Sequence, residues 1–156
     1  MKIRLAVFLA LVAAVTLTSV AAAGPDAAKQ RVAITAKILP GGTFVLTPLR
    51  AGAMKRDSGT VVEGKTLSER NGITTGFWIV TGKRGNLVLR ERREWVDIGN
   101  DGNGDGIDDA VAFGTWRVVR GTGQYVRVAG GGRSGHEGLG HVWNARLEGF
   151  LTVPTG

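Results

Sequence analysis

The sequence predicts an all-β domain, an antiparallel barrel or sandwich of seven or so strands. Three observations predict it. Apolar and polar residues alternate in several segments with the period of two that places one face of a strand against a core. No segment after the first 23 residues keeps helical periodicity beyond two turns. Glycine, with 25 residues in 156, is spread throughout and punctuates the alternating stretches at short spacing.

The elements follow in chain order. RVAITAKI places Val32, Ile34, Ala36 and Ile38 on one side. After the turn LPGG comes GTFVLTPL, where Pro48 suggests an edge or bulge. SGTVVEGKTL is a third strand. ITTGFWIVTG and NLVLRERREWV flank TGKRGN, a glycine-bearing turn of the hairpin type. In the second of these, Leu87, Leu89 and Trp95 share a face with Glu91 and Arg93, and Arg90, Arg92 and Glu94 share the other. AVAFGTWRVVR and HVWNARLEGFLTV complete the set. In the last, Trp143, Ala145, Leu147, Leu151 and Val153 alternate against Asn144, Arg146 and Glu148.

The first residues read as an address. Lys2 and Arg4 precede an apolar run from Leu5 to Leu17, and the small-residue exit SVAAAG fits cleavage after Ala23. This is the layout of a secretory signal, with an apolar run shorter than the roughly 20 residues a membrane-spanning helix needs. We therefore expect a signal peptide over 1–23, a single domain over 24–156, a secreted or periplasmic location and no membrane span. The chain has no cysteine, which removes disulfides, thiolate metal sites, cysteine nucleophiles and a cysteine-linked lipid anchor together.

Loss of Lys2 and Arg4 lowers the formal charge from +7 to +5. Of the 13 acids, Asp97, Asp101, Asp105, Asp108 and Asp109 lie in one short segment with no basic residue inside it. Four of these five lie in the stretch NDGNGDGIDDA, from Asn100 to Ala110, which raises calcium. Taking Asp101 as the first ligand puts Asn103 third, Asp105 fifth, Gly106 sixth and the Ile107 carbonyl seventh, with Asp108 and Asp109 following and Asp97 as a helper. Calcium wants six to eight oxygens on a flexible loop with glycine at the sharp turn. The twelfth position is Ala112 and no helix flanks the loop, so it is not an EF-hand. It is similar to the DxDGDGxxD loops of thrombospondin type 3 and dockerin-like repeats. The competing reading is a solvated hairpin loop, for which Asn, Asp and Gly are also the natural residues. Mutual repulsion of five uncompensated carboxylates favours a counter-ion.

Other motifs carry less. HEGLGH lacks the four-residue helical spacing of a zinc protease, and on a strand His136 and His141 point to opposite faces. The RERR and KR runs have no interleaved aromatics for base stacking, so we expect no nucleic acid partner.

One segment is more specific. FGTWRVVRGTGQYVRVAGGGRSG, from Phe113 to Gly135, resembles the signature of the allene oxide cyclase and dirigent barrel group. The residues that carry it are Gly114, Thr115, Trp116, Gly121, Thr122, Gly123, Tyr125 and Gly130 to Gly132. TFVLTPL and the DSGT from Asp57 add a likeness to small secreted bacterial members. The resemblance implies a single antiparallel β-barrel of about eight strands (calycin-like) with an apolar interior. It departs at Arg127, where a glycine is expected. Independently of the resemblance, Gly121 and Gly123 permit positive φ in a turn, and Tyr125 can close a barrel end with its hydroxyl reaching water. A phosphate cradle at GTG lacks the helix and parallel strand it needs.

Two functions follow as expectations. One is a non-catalytic secreted barrel that binds a small apolar ligand or acts as an extracellular interaction module, with a structural calcium loop and with oligomerisation open. The other, implied by the resemblance, is a cyclase or isomerase-like barrel. Glu91 and Arg93 are the only catalytic candidates. They are either a polar pair inside the lumen, as a mutual salt bridge or a site, or solvated residues on a strand end that has left the barrel.

Overall fold

In a computed structural model of the protein, described for residues 27–38, 41–99, 101–102, 104, 106, 108–140 and 142–154, eight strands close into one antiparallel barrel. The strands are β1 (Ala27–Ile38), β2 (Thr43–Pro48), β3 (Asp57–Arg70), β4 (Ile73–Gly82), β5 (Gly85–Asp97), β6 (Ala110–Gly121), β7 (Ala129–Leu139) and β8 (Val142–Pro154). Each pairs with its neighbours in sequence, and β8 returns to β1 from Ala27↔Pro154 to Ile38↔Trp143. Closure excludes the sandwich and leaves no edge, so Pro48 marks only the end of β2. No helix among the described residues is long and apolar enough to cross a membrane. The segment 1–23 lies outside the described residues.

The alternating residues point inward as their pattern requires. Val32, Ile34, Phe44, Leu46, Val61, Val80, Leu87, Leu89, Leu147 and Leu151 form one buried cluster that packs the lumen. β3 runs three residues beyond its apolar stretch because Asn71 (φ 52°) and Gly72 (φ 74°) make a two-residue turn of the kind Asn-Gly favours.

β7 is the strand that alternation does not reveal, and its glycines explain why. Gly132 lies beside Trp116 in register and Gly149 lies beyond it on β8. The Trp116 indole reaches across both strands and donates Nε1–H to the carbonyls of Arg133 (3.1 Å) and Glu148 (3.3 Å). At Gly138 an added Cβ would stand 2.2 Å from the Trp143 ring. At Gly138 the strand leaves space that the Trp143 indole fills, whereas at Gly130, Gly131 and Gly132 an added Cβ would meet the backbone of a neighbouring strand.

One end of the barrel is stoppered. The short 3₁₀ turn Gly123–Tyr125 between β6 and β7 buries Tyr125, which is 2% exposed. Its hydroxyl does not reach water as expected; it donates to Asp57 Oδ2 at 2.7 Å. The same carboxylate accepts backbone N–H bonds from Ser58, Lys83 and Arg84. Burial works against the Asp57 charge, but the Tyr125 hydroxyl and the three amides outweigh it and hold the carboxyl below the usual aspartate range. Burial and that carboxylate push the Tyr125 phenol well above the ordinary tyrosine range. Gly123 has φ 60°, but Gly121 does not use positive φ. It is required instead because a Cβ there would meet the Tyr125 carbonyl oxygen at 2.1 Å. Arg127, where a glycine is expected, holds φ 62°.

Candidate functional site at the barrel mouth

Glu91 and Arg93 do not sit on a solvated strand end. They continue the inward series of Leu87 and Leu89, with Glu91 1% and Arg93 8% exposed. Glu91 faces Gly76 across β4 and Trp116 across β6. On β7, Ser134 and His136 point inward, and the neighbours of His136 in register are Ala112 and Ala145, small enough to leave the ring the lumen.

These residues build one network. Glu91 Oε1 bonds His136 Nε2 at 2.6 Å. Glu91 Oε2 accepts from Trp78 Nε1 at 2.6 Å and from Arg93 Nη1 at 3.3 Å. Arg93 Nη2 donates to Glu63 on β3, which is more exposed. Burial would raise the Glu91 carboxyl; the hydrogen bond and charge of His136, with Ser134 and Arg93 close by, outweigh it and hold the group below the ordinary glutamate range. A buried carboxylate thus keeps its charge because donors surround it.

Above this layer the lumen opens. A pocket of about 220 Å³ is lined by Ile38, Glu63, Trp78, Arg93, Trp95, His136 and Trp143. Trp95 and Trp143 meet edge to face at 4.9 Å. The His136 ring stacks on Trp78 at 5.8 Å, and the Arg93 guanidinium lies 5.4 Å from the Trp78 ring centre and 5.0 Å from that of Trp95. The lumen is therefore packed toward the Tyr125 end and hollow at the mouth. Arg93 Nε and His136 Nδ1 are buried without a hydrogen-bond partner among the described residues.

His136 is the residue sequence reasoning passed over. The odd spacing to His141 places the two on opposite faces, but that does not decide whether His136 alone faces the lumen. Alternation of Ser134, His136 and Gly138 would have indicated it once β7 was taken as a strand. His141 lies outside the described residues.

The acidic loop joins β5 to β6 at the mouth end. Of its proposed ligands, Asn103, Asp105 and Ile107 lie outside the described residues, as does Asn100. Asp101 Oδ2 accepts from the Gly106 amide at 2.7 Å, Asp109 Oδ2 from the Gly102 amide at 3.1 Å, and Asp97 Oδ1 from the Gly99 amide at 2.7 Å. Asp108 is exposed, whereas Asp109 is buried and its Oδ1 has no partner among the described residues. Among the described residues no group of three or more His, Cys, Asp or Glu stands together as a metal site.

Fold and site together define an up-and-down antiparallel barrel with a polar layer beneath a tryptophan-lined mouth. In comparisons with protein-family models, curated proteins and solved structures, nothing matches this chain.

Proposed function

We propose that the protein is a secreted barrel that binds one small, largely apolar, ring-sized molecule in its mouth. The observation that carries this reading is the pocket of about 220 Å³ between Trp78, Trp95 and Trp143. Apolar walls with a few convergent polar groups at the base are the usual make-up of a small-molecule site, although this one is smaller than most. The Arg93 charge is met by Glu91 and Glu63, so the pocket has no spare cation to recruit an anion. The test is quenching of tryptophan fluorescence by 2-naphthol. Trp143→Ala should weaken binding about tenfold, in line with loss of one aromatic contact and its buried area. Unquenched wild-type protein, or a Trp143→Ala variant that binds as well, removes the reading.

The second reading, cyclase- or isomerase-like chemistry of the kind the resemblance implies, is favoured by Glu91, Arg93 and His136 lying in the lumen under that pocket.

A calcium ion on the β5–β6 loop belongs to the same proposal. Its support is the ligand spacing from Asp101 to Asp109 and the unpartnered, buried Asp109 Oδ1. Against it stand the amides that Asp101 and Asp109 already cap.

A further inference from the structure

On the outer wall of the barrel, cations gather without partners. β5 and β6 turn Glu91 and Trp116 inward, so the residues on either side of each face out: Arg90 and Arg92 on β5, Thr115 and Arg117 on β6. Arg90 stands opposite Arg117 in register, and Arg92 stands between Thr75 on β4 and Thr115 on β6. With Trp116, these five residues line an open hollow of about 240 Å³. One strand further on, Arg133 lies beside Thr115 and carries the run to β7. Like charges directly opposite each other destabilise a sheet. The ion pairs among the described residues are nevertheless made by Arg31, Arg93, Arg146 and His136, and not by Arg90, Arg92, Arg117 or Arg133. The bordering acids are Glu94, two residues beyond Arg92, and Glu148, which faces Arg133 in register but is bound to Arg31 and Arg146.

We propose that this wall binds a flexible linear polymer carrying phosphate or sulfate ester groups. All four cations are arginines, whose planar forks match tetrahedral oxyanions, and the Thr75 and Thr115 hydroxyls add donors. A carboxylate has two oxygens and satisfies one fork, whereas an ester phosphate or sulfate presents three and can meet several. Each exposed contact of this kind gains only about two- to fivefold in affinity, so a lone ion is held weakly and a chain of such groups is held by their number. Neighbouring arginines stand roughly 5–7 Å apart along and across the strands, close to the repeat of a substituted sugar chain. The run crosses three strands of a curved wall, which a flexible chain can follow and a flat bilayer cannot. Trp116 is 3% exposed, so the hollow offers no indole face for a base to stack on, which disfavours nucleic acid. The mouth pocket plays no part in this inference.

The probes are dextran sulfate, dextran phosphate and carboxymethyl-dextran of matched charge density, immobilised, with affinity read by surface plasmon resonance over a salt series. The wild type should bind the sulfate or the phosphate polymer more tightly than the carboxylate one, a comparison that needs no variant to fold; the tighter of the two names the group recognised. Arg90→Gln/Arg117→Gln should weaken that binding about tenfold and lower the slope of log affinity against log salt by about two, one per phosphate-contacting cation. Lys29→Gln/Lys37→Gln removes the same charge from β1 across the barrel and should change both little. Failure to bind either ester polymer overturns the proposal, as does equal binding of carboxymethyl-dextran. An effect of the lysine pair as large as that of the arginine pair reduces the wall to net charge and overturns it too. Single-stranded DNA that binds more tightly than both ester polymers overturns it in favour of a base-reading surface.

Discussion

Tyr125 and Asp57, separated by 68 residues in the chain, are joined by one hydrogen bond of 2.7 Å that stoppers the barrel. Tyr125 is also the only tyrosine in the protein, so one chromophore reports on the stopper. Its phenol, raised in the folded state, should show no phenolate absorbance through the range near pH 10 where an ordinary tyrosine ionises. The unfolded chain in denaturant should titrate normally. Stability from this group is present below the unfolded value and is lost as pH rises from there through the folded value. Asp57 works the other way: depressed in the folded state, it supplies stability above the ordinary aspartate range that is lost as pH falls below it. Tyr125→Phe should cost about 1.5–3 kcal/mol by urea unfolding at neutral pH, as for a hydrogen bond to a charged group. A native phenol that titrates near pH 10 contradicts the stopper.

Two glycines of β7 should behave differently. Gly138→Ala forces a methyl against the Trp143 ring, whereas at Gly135 nothing lies within 4 Å of an added Cβ. We expect Gly138→Ala to lose about 1–3 kcal/mol, as overpacking does, and to weaken 2-naphthol binding because Trp143 walls the pocket. Gly135→Ala should be close to neutral. Equal unfolding midpoints for the two variants would show that Trp143 does not lie over Gly138.

At Arg127 the backbone is left-handed, with φ 62°, a conformation that costs a residue with a Cβ about 1–2 kcal/mol. Arg127→Gly should therefore stabilise the barrel by about 0.5–1 kcal/mol after the added freedom of glycine in the unfolded chain is deducted. Arg127→Ala should change little. A lower urea midpoint for the glycine variant would refute the strain.

Removing the charge at the centre of the mouth network should be costly. Glu91→Leu leaves His136 Nε2 and Trp78 Nε1 without their acceptor. It also strips Arg93 of one of its two carboxylates. A loss of about 3–5 kcal/mol is expected, the scale of a broken buried pair, with Glu91→Gln costing less because its amide oxygen still accepts. Chemical denaturation of both variants against wild type decides it.

For the acidic loop, a weak extracellular-type site has a dissociation constant of about 10⁻⁴–10⁻³ M. About ten times that concentration of calcium adds roughly 1.4 kcal/mol, which moves a melting midpoint by a few degrees. Melting in excess chelator and in 10 mM calcium should show that shift, and Asp101→Ala/Asp109→Ala should lose it. Identical midpoints for the wild type reduce the loop to a capped turn.

Seven of the eight strands are legible because their alternation is a direct record of which face meets the core, as in Val32, Ile34 and Ala36 or Leu87 and Leu89. β7 is not, because its glycines answer to neighbouring strands, Gly130, Gly131 and Gly132 to their backbone and Gly138 to the Trp143 indole, a relation only pairing reveals. The same blind spot hides His136. Glu91 and Arg93 are legible as candidates from parity alone, but parity cannot say whether a strand end still encloses a lumen. That depended on β5 pairing with β6 as far as Asp97↔Ala110.

The register Ala27↔Pro154 places both ends of the described chain side by side at the stoppered rim, while the pocket opens at the opposite one. A tether joined at Ala27 or Pro154 therefore points the pocket away from whatever surface holds the barrel. With its ends adjacent, the ring also admits circular permutation: a short linker joining them and a new opening at Asn71–Gly72 would keep all eight strand pairings.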